Sequence, residues 1–246
     1  MDALGHKADR TGWLGQWVYA HRGMHGPGVP ENSPSAFTAA IACGLGIECD
    51  VQRSADGQAM VFHDWELDRL TSQAGPICAH PAAELSEMSF KGGTDCIPTL
   101  AAVLAQVDRR VPLLIEVKSR RTLPVGAFCA SITRDLLAYG GSHAVMSFDP
   151  RVPYWFSRHA PHIPRGLVVT EEGHRGWGGA IRRRLAFRAA KSEFLAYDIR
   201  DLPSPFASAL RARGVPVLSW TVRTPELAAR AKLHADAPIA EAEGLV

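Results

Sequence analysis

Short apolar runs alternate with segments of helical period almost the whole way along this chain, and that alternation constrains the fold more than anything else in it. The runs fall at 16–21, 46–52, 58–63, 113–118, 144–148, 166–170, 194–198 and 215–222. Between them the period predicts helices from Ser33 to about Cys43, over 99–109 and 125–139, after Pro150, over 178–190 and 205–213, and from Pro225. Ser33 can cap the first of these, and Pro34 suits its first turn. About eight strands with intervening helices in 246 residues suit an α/β fold, a TIM-like (β/α)8 barrel, as one domain over 1–246. A doubly wound sheet is the alternative, disfavoured because no Gly-x-Gly-x-x-Gly follows the first strand. Residues 65–97 lack periodicity apart from a short helix at 81–88, and read as an insertion after the strand that ends at His63.

Composition narrows the function classes. Hydrophobic residues make up 46% and charged residues 21%, enough apolar material for a large core. A formal charge of +2 and a pI near 8.3 are too mild for general nucleic-acid binding. No apolar run reaches signal-peptide or membrane-span length, so a cytoplasmic protein is expected. The five cysteines, Cys43, Cys49, Cys78, Cys96 and Cys129, are odd in number and contain no Cys-x-x-Cys pair. They point to buried thiols and to neither a disulfide framework nor a zinc site.

Chemistry-bearing residues concentrate between His21 and Asp64. Glu48 and Asp50 stand two apart on a strand, so both leave the same face while Cys49 leaves the other. Two such carboxylates repel, and one tends to stay protonated unless a cation sits between them. Glu116 is a further charge inside an apolar run, two residues from Lys118. Three oxygen ligands and no soft one favour a hard divalent cation; the alternative is that Glu116 and Lys118 pair with each other or with Asp50. The 46–52 and 58–63 runs flank Ala55-Asp56-Gly57 and read as a hairpin in which Arg53 faces Gln58 and Glu48 falls opposite His63. His21 and His63 each end an apolar run, the catalytic rim of a parallel barrel, and imidazole titrates near neutrality. Arg22 suits a bidentate grip on phosphate, or a surface ion pair.

Taken in order, these residues resemble the glycerophosphodiester phosphodiesterase family. The resemblance rests on His-Arg-Gly at 21–23, Pro-Glu-Asn-Ser at 30–33, Glu-Cys-Asp-Val at 48–51, His63-Asp64, Ile-Pro-Thr-Leu at 97–100, Ile-Glu-Val-Lys at 115–118 and Ser-Trp-Thr-Val at 219–222. It implies a TIM-like barrel and one divalent cation, Mg²⁺ or Ca²⁺ with Mn²⁺ as a further option, held by Glu48, Asp50 and Glu116. It also implies His21 and His63 as the general base and general acid, Arg22 and Lys118 on the phosphate, and Trp220 lining the pocket. The expected activity is hydrolysis of small-molecule glycerophosphodiesters to glycerol 3-phosphate and an alcohol through a cyclic phosphate, within lipid and glycerol metabolism. A barrel phospholipase of C or D type acting on intact lipid, and a non-catalytic phosphodiester-binding barrel, are the alternatives. The family usually has Thr-Leu where this chain has Ser33-Pro34, and its usual ending is matched only loosely at 237–241.

A basic segment stands apart from this set. Arg182, Arg183, Arg184, Arg188 and Lys191 share a stretch in which Trp177, Ile181 and Leu185 recur every four residues. Such a helix can lie on an anionic membrane. An ordinary barrel helix with one solvated face is the expectation favoured here.

Overall fold

The computed structural model describes residues 10–120 and 122–245. The described residues divide into two compact units, one within residues 20–143 and the other formed by residues 10–19 together with 144–245.

In the first unit the strands are β1 (Tyr19–His21), β2 (Gly46–Arg53), β3 (Ala59–Val61) and β4 (Leu113–Val117). Helix α1 (Pro34–Ala42) follows β1, and the Ser33 side chain accepts from the Ala36 N–H as the sequence implied. β2 pairs parallel to β4, with Asp50 level with Glu116, and every β2 residue except Arg53 is buried. β3 returns antiparallel along β2, so the hairpin forms, but its register is one residue from that expected: Arg53 lies opposite Ala59, not Gln58. The cause is Ser54, whose N–H donates to the Gln58 carbonyl while its Oγ accepts from the Gln58 N–H. This leaves a three-residue loop, Ala55-Asp56-Gly57, with Gly57 at φ +84°. Pairing then stops before His63 and Glu48 can meet across it.

The insertion at 65–97 carries a 3₁₀ turn (Ile77–Ala79) and helix α2 (Ala82–Leu85), shorter than the 81–88 expected. It has a core of its own. Leu67, Ile77, Leu85 and Phe90 pack on Met60, Phe62 and Ile97, with the Phe62 and Phe90 rings stacked at 6.1 Å. Helix α3 (Leu100–Val107), capped by Thr99, leads into β4, and α4 (Gly126–Leu136) follows it.

The second unit repeats strand and helix without interruption. Its elements are β5 (His143–Ser147), α5 (Arg151–His159), β6 (Arg165–Val169), α6 (Trp177–Ala190), β7 (Phe194–Asp198), α7 (Pro205–Arg211), β8 (Val217–Val222), α8 (Pro225–His234) and β9 (Ala237–Ala240). Each strand from β5 to β9 runs parallel to the next. β9 forms even though its sequence departs from the family's usual ending. Helices α6 and α7 cover the sheet through Phe187 and Phe206, which meet Leu167, Leu195, Tyr197 and Val217 in one core. The close approach of β6 and β7 needs Gly166, because a Cβ there would lie 2.2 Å from the Phe194 ring. The strand expected from Gln16 begins only at Tyr19, since residues Gly12–Gln16 form a 3₁₀ turn whose Leu14 carbonyl accepts from Tyr19 Oη.

Candidate active site

β2 supplies the centre of the site. Glu48 and Asp50 are each 1% exposed and share a face, and the register with β4 adds Glu116 beside Asp50. One oxygen from each of Glu48, Asp50 and Glu116 lies within 4.8 Å of the others. Lys118, one residue past β4, reaches both Asp50 Oδ1 at 2.8 Å and Glu116 Oε1 at 2.5 Å. The pairing alternative from sequence is therefore realised, yet it leaves Glu48 outside the lysine's reach.

The turn after β1 brings in the second cation. Arg22 and Gly23 both adopt left-handed backbone, φ +57° and +79°. A Cβ on Gly23 would stand 2.9 Å from Ala36 and the Phe37 ring, so only glycine fits this close approach to α1. The turn aims the Arg22 N–H at Glu48 Oε2, 3.1 Å away. The Arg22 Nη1 donates to Glu31 Oε1 at 2.7 Å. Its Nε is 3.2 Å from Asp50 Oδ2 but is not aligned to donate there. Asn32, fully buried and left-handed at φ +56°, exchanges two hydrogen bonds with Asp50: its Nδ2 donates to Oδ2 and its Oδ1 accepts from the Asp50 N–H.

These contacts sort the charges. Burial, then Asp50 and Glu116, push the Glu48 carboxyl well above the usual range. Burial acts the same way on Glu116 and raises it despite Lys118. For Asp50 burial is outweighed by Lys118, Arg22 and His63, which hold it ionised far below the usual range. Three carboxylates thus share two permanent cations, and the burial cost falls on Glu48. An acid surplus of oxygen ligands this close together fits a hard divalent cation.

His21 ends β1 and is buried. His63 lies beyond β3 and is held by its backbone: Gln52 Nε2 donates to the carbonyls of His63 and Asp64 at 3.0 and 2.7 Å. Its Nδ1 meets Asp64 Oδ1 at 2.6 Å. Burial lowers the His63 imidazole, with Asp50 opposing and Lys118 and Arg22 adding to the fall. Burial works against Asp64 ionising, but Arg69 and His63 outweigh it and hold that carboxyl at about 2. Arg69 binds Asp64 through Nε and Nη2 and Glu31 through Nη1 and Nη2, so a hydrogen bond to Asp64 and a run of ion pairs link His63 to Arg22.

Sequence reasoning placed the stretches that hold Glu31, Asn32 and Asp64 at the site without giving these three a role, and it missed Gln52 and Arg69. Gln52 carried a usable signal, the same alternation that picked out Glu48 and Asp50; Arg69 carried none. Trp220, on β8 in the other unit, donates from Nε1 to the Ala196 carbonyl and meets the Phe148 ring edge-on at 5.3 Å.

Known proteins give this geometry a context. The sequence profile of the glycerophosphoryl diester phosphodiesterase family matches residues 21–239. A glycerophosphodiester phosphodiesterase of Caldanaerobacter subterraneus is 28% identical over 219 residues, 83% of this chain and 85% of that protein. Glycerophosphodiester phosphodiesterase 1 of Mus musculus is 26% identical over 83% of this chain and 71% of its own length. Among solved structures, a phosphodiesterase of Oleispira antarctica in complex with the product sn-glycerol-3-phosphate superposes with a TM-score of 0.80 at 26% identity, covering 91% of this chain and 92% of that one. The fold is therefore a TIM-like (β/α)8 barrel, and the chain belongs to the glycerophosphoryl diester phosphodiesterase family of phosphoric diester hydrolases.

Proposed function

We propose that this enzyme splits small glycerophosphodiesters into glycerol 3-phosphate and an alcohol at the face formed by Glu48, Asp50, Glu116, His21 and His63. The observation that carries the reading is the buried carboxylate triad, whose oxygens gather within 4.8 Å and exceed the cations beside them. Glu48, Asp50 and Glu116 would hold one divalent cation, Mg²⁺, Ca²⁺ or Mn²⁺, which when bound supplies a Lewis acid for phosphoryl oxygens. The profile runs through both units, and we read 1–246 as one domain.

The chain's own residues then divide the work. One of the two histidines takes the proton of the glycerol 2-hydroxyl as its oxygen bonds to phosphorus; the other protonates the departing alkoxide as that P–O bond breaks. Water opens the resulting cyclic phosphate with the two roles reversed. His63 suits proton exchange because the ionised Asp64 holds its Nδ1–H and leaves Nε2 to the substrate. A neighbouring hydroxyl gains greatly from proximity, with effective molarities of roughly 10⁵–10⁸ M in the best cases. Arg22 and Lys118 offer their positive charge to the phosphate. The assignment of Trp220 to the substrate pocket rests on the family resemblance. A cytoplasmic location rests on five cysteines none of which forms a disulfide among the described residues, which suits a reducing compartment.

The test compares glycerophosphocholine with its analogue lacking the 2-hydroxyl, at matched pH, in chelated and Mg²⁺-, Ca²⁺- or Mn²⁺-loaded enzyme. Chelation should abolish glycerol 3-phosphate release and a hard cation should restore it, while the deoxy analogue should turn over at least about 10²-fold more slowly. Equal rates on the two substrates would remove the cyclic step, and full activity after exhaustive chelation would remove the metal.

A further inference from the structure

Helix α6 faces the wrong way for an ordinary barrel helix. At 100° per residue, Trp177, Ile181 and Leu185 form one stripe about 12 Å long, and periodicity alone would turn it toward the core. Instead Phe187 and Ala190 make the buried contacts, and Arg183 turns inward to pair with Glu171 at 3.0 Å. The stripe is left on the opposite side, with Trp177 82%, Ile181 46% and Leu185 61% exposed.

The surroundings of the stripe are cationic. Arg182, Arg184 and Arg188 are exposed along the same helix, and no Asp or Glu occurs from 173 to 191. Tyr154 on α5, itself 46% exposed, stands with its ring 5.7 Å from Lys191 Nζ. Apolar side chains in water, an aromatic at either end and arginines without acids among them form the pattern of a helix that rests in a headgroup layer. We propose that the outward face of α6 docks on a bilayer of anionic phospholipid. Lipid phosphates meet the arginines, and Trp177, Ile181 and Leu185 enter the acyl boundary. A second copy of this face is a poor occupant, since it would set arginines against arginines.

Vesicle sedimentation tests the proposal on the full chain. Binding to phosphatidylcholine doped with phosphatidylglycerol should exceed binding to phosphatidylcholine alone by about tenfold or more, and should weaken with salt. The triple variant Trp177→Ser, Ile181→Ser, Leu185→Ser and the separate triple variant Arg182→Gln, Arg184→Gln, Arg188→Gln should each lose about tenfold or more of it. Both should keep wild-type thermal melting and hydrolysis of a water-soluble diester, because all six residues are exposed and none belongs to the buried core or to the site. Equal binding to doped and neutral vesicles, or unchanged binding by either variant, would overturn the proposal. So would a wild-type dimer in ultracentrifugation that the Ser variant breaks while neither protein binds vesicles.

Discussion

Two buried charge clusters in this chain are built on opposite balances. In the second unit Glu193 accepts from Arg165 Nη1 at 2.9 Å and pairs with Arg10, one acid between two bases. Two further donors there find backbone carbonyls, Arg165 Nε on Lys191 and Arg10 Nη1 on Pro161, while the buried Arg10 Nε has no hydrogen-bond partner. In the first unit Glu48, Asp50 and Glu116 set three acids against Arg22 and Lys118. A surplus of donors is easily absorbed, because carbonyls are everywhere in a fold. A surplus of buried carboxylate oxygens is not, since they need donors or a cation. In the Glu193 cluster the one acid is paired on both sides, whereas the triad keeps more acids than cations, the feature on which the proposed cation site rests.

The sharpest way to break this contrast is Glu48→Gln. If its charge helps to hold a cation that stabilises the transition state by several kcal/mol, glycerol 3-phosphate release should fall by about 10³-fold. The same variant in chelator should be as stable as wild type or more so, because a neutral amide relieves the acid surplus. The pH dependence follows from the raised Glu48 carboxyl, driven by burial, then by Asp50 and Glu116. A raised folded-state value favours the fold while the proton is bound, and that stability is lost as pH climbs through it. Chelated wild type should therefore lose stability above the ordinary carboxylate range, and metal affinity should rise with pH as the competing proton leaves. Calorimetric titration at several pH values would show this slope flattened in Glu48→Gln. A chelated variant that melts well below wild type would mean that the triad is structural after all.

Glu193→Gln makes the opposite prediction. Leaving Arg165 without its charge partner should cost about 3 kcal/mol of stability in urea melts, with kcat of the folded fraction unchanged. A stable variant, or one slow in catalysis, would erase the distinction between the clusters.

The comparison also explains which parts could be read in advance. Strand alternation put Glu48 and Asp50 on one face, and the buried strand at 113–117 supplied Glu116; these follow from a period of two. The hairpin register did not follow, because it turned on Ser54 bonding to Gln58 at both backbone and side chain. Asn32 reaches Asp50 across 18 residues and Arg69 reaches Glu31 across 38, both from irregular backbone, where no period points. On α6 the period found the Trp177–Ile181–Leu185 stripe but could not say which side Phe187 would claim. Alternation tells which residues share a face; what that face meets is decided by the rest of the chain.

The smallest expected effect falls between the two carboxylates. Cys49 stands next to Glu48 and Asp50 in sequence yet leaves the other face of β2, where it is wholly buried. Burial, then the charges of Glu48 and Asp50, push its thiol well above the usual range, so it stays a protonated, apolar filler. Cys49→Ser keeps the shape and adds a hydroxyl to a dry environment, a change worth about 1 kcal/mol of stability. Catalysis and metal affinity should both stay within about twofold of wild type, because the face that carries Glu48 and Asp50 is untouched. Thermal melts and titrations on the one variant read both quantities. If metal affinity fell with Cys49→Ser as it does with Glu48→Gln, the two faces of β2 would not be separate, and packing behind the strand would have to be counted as part of the site.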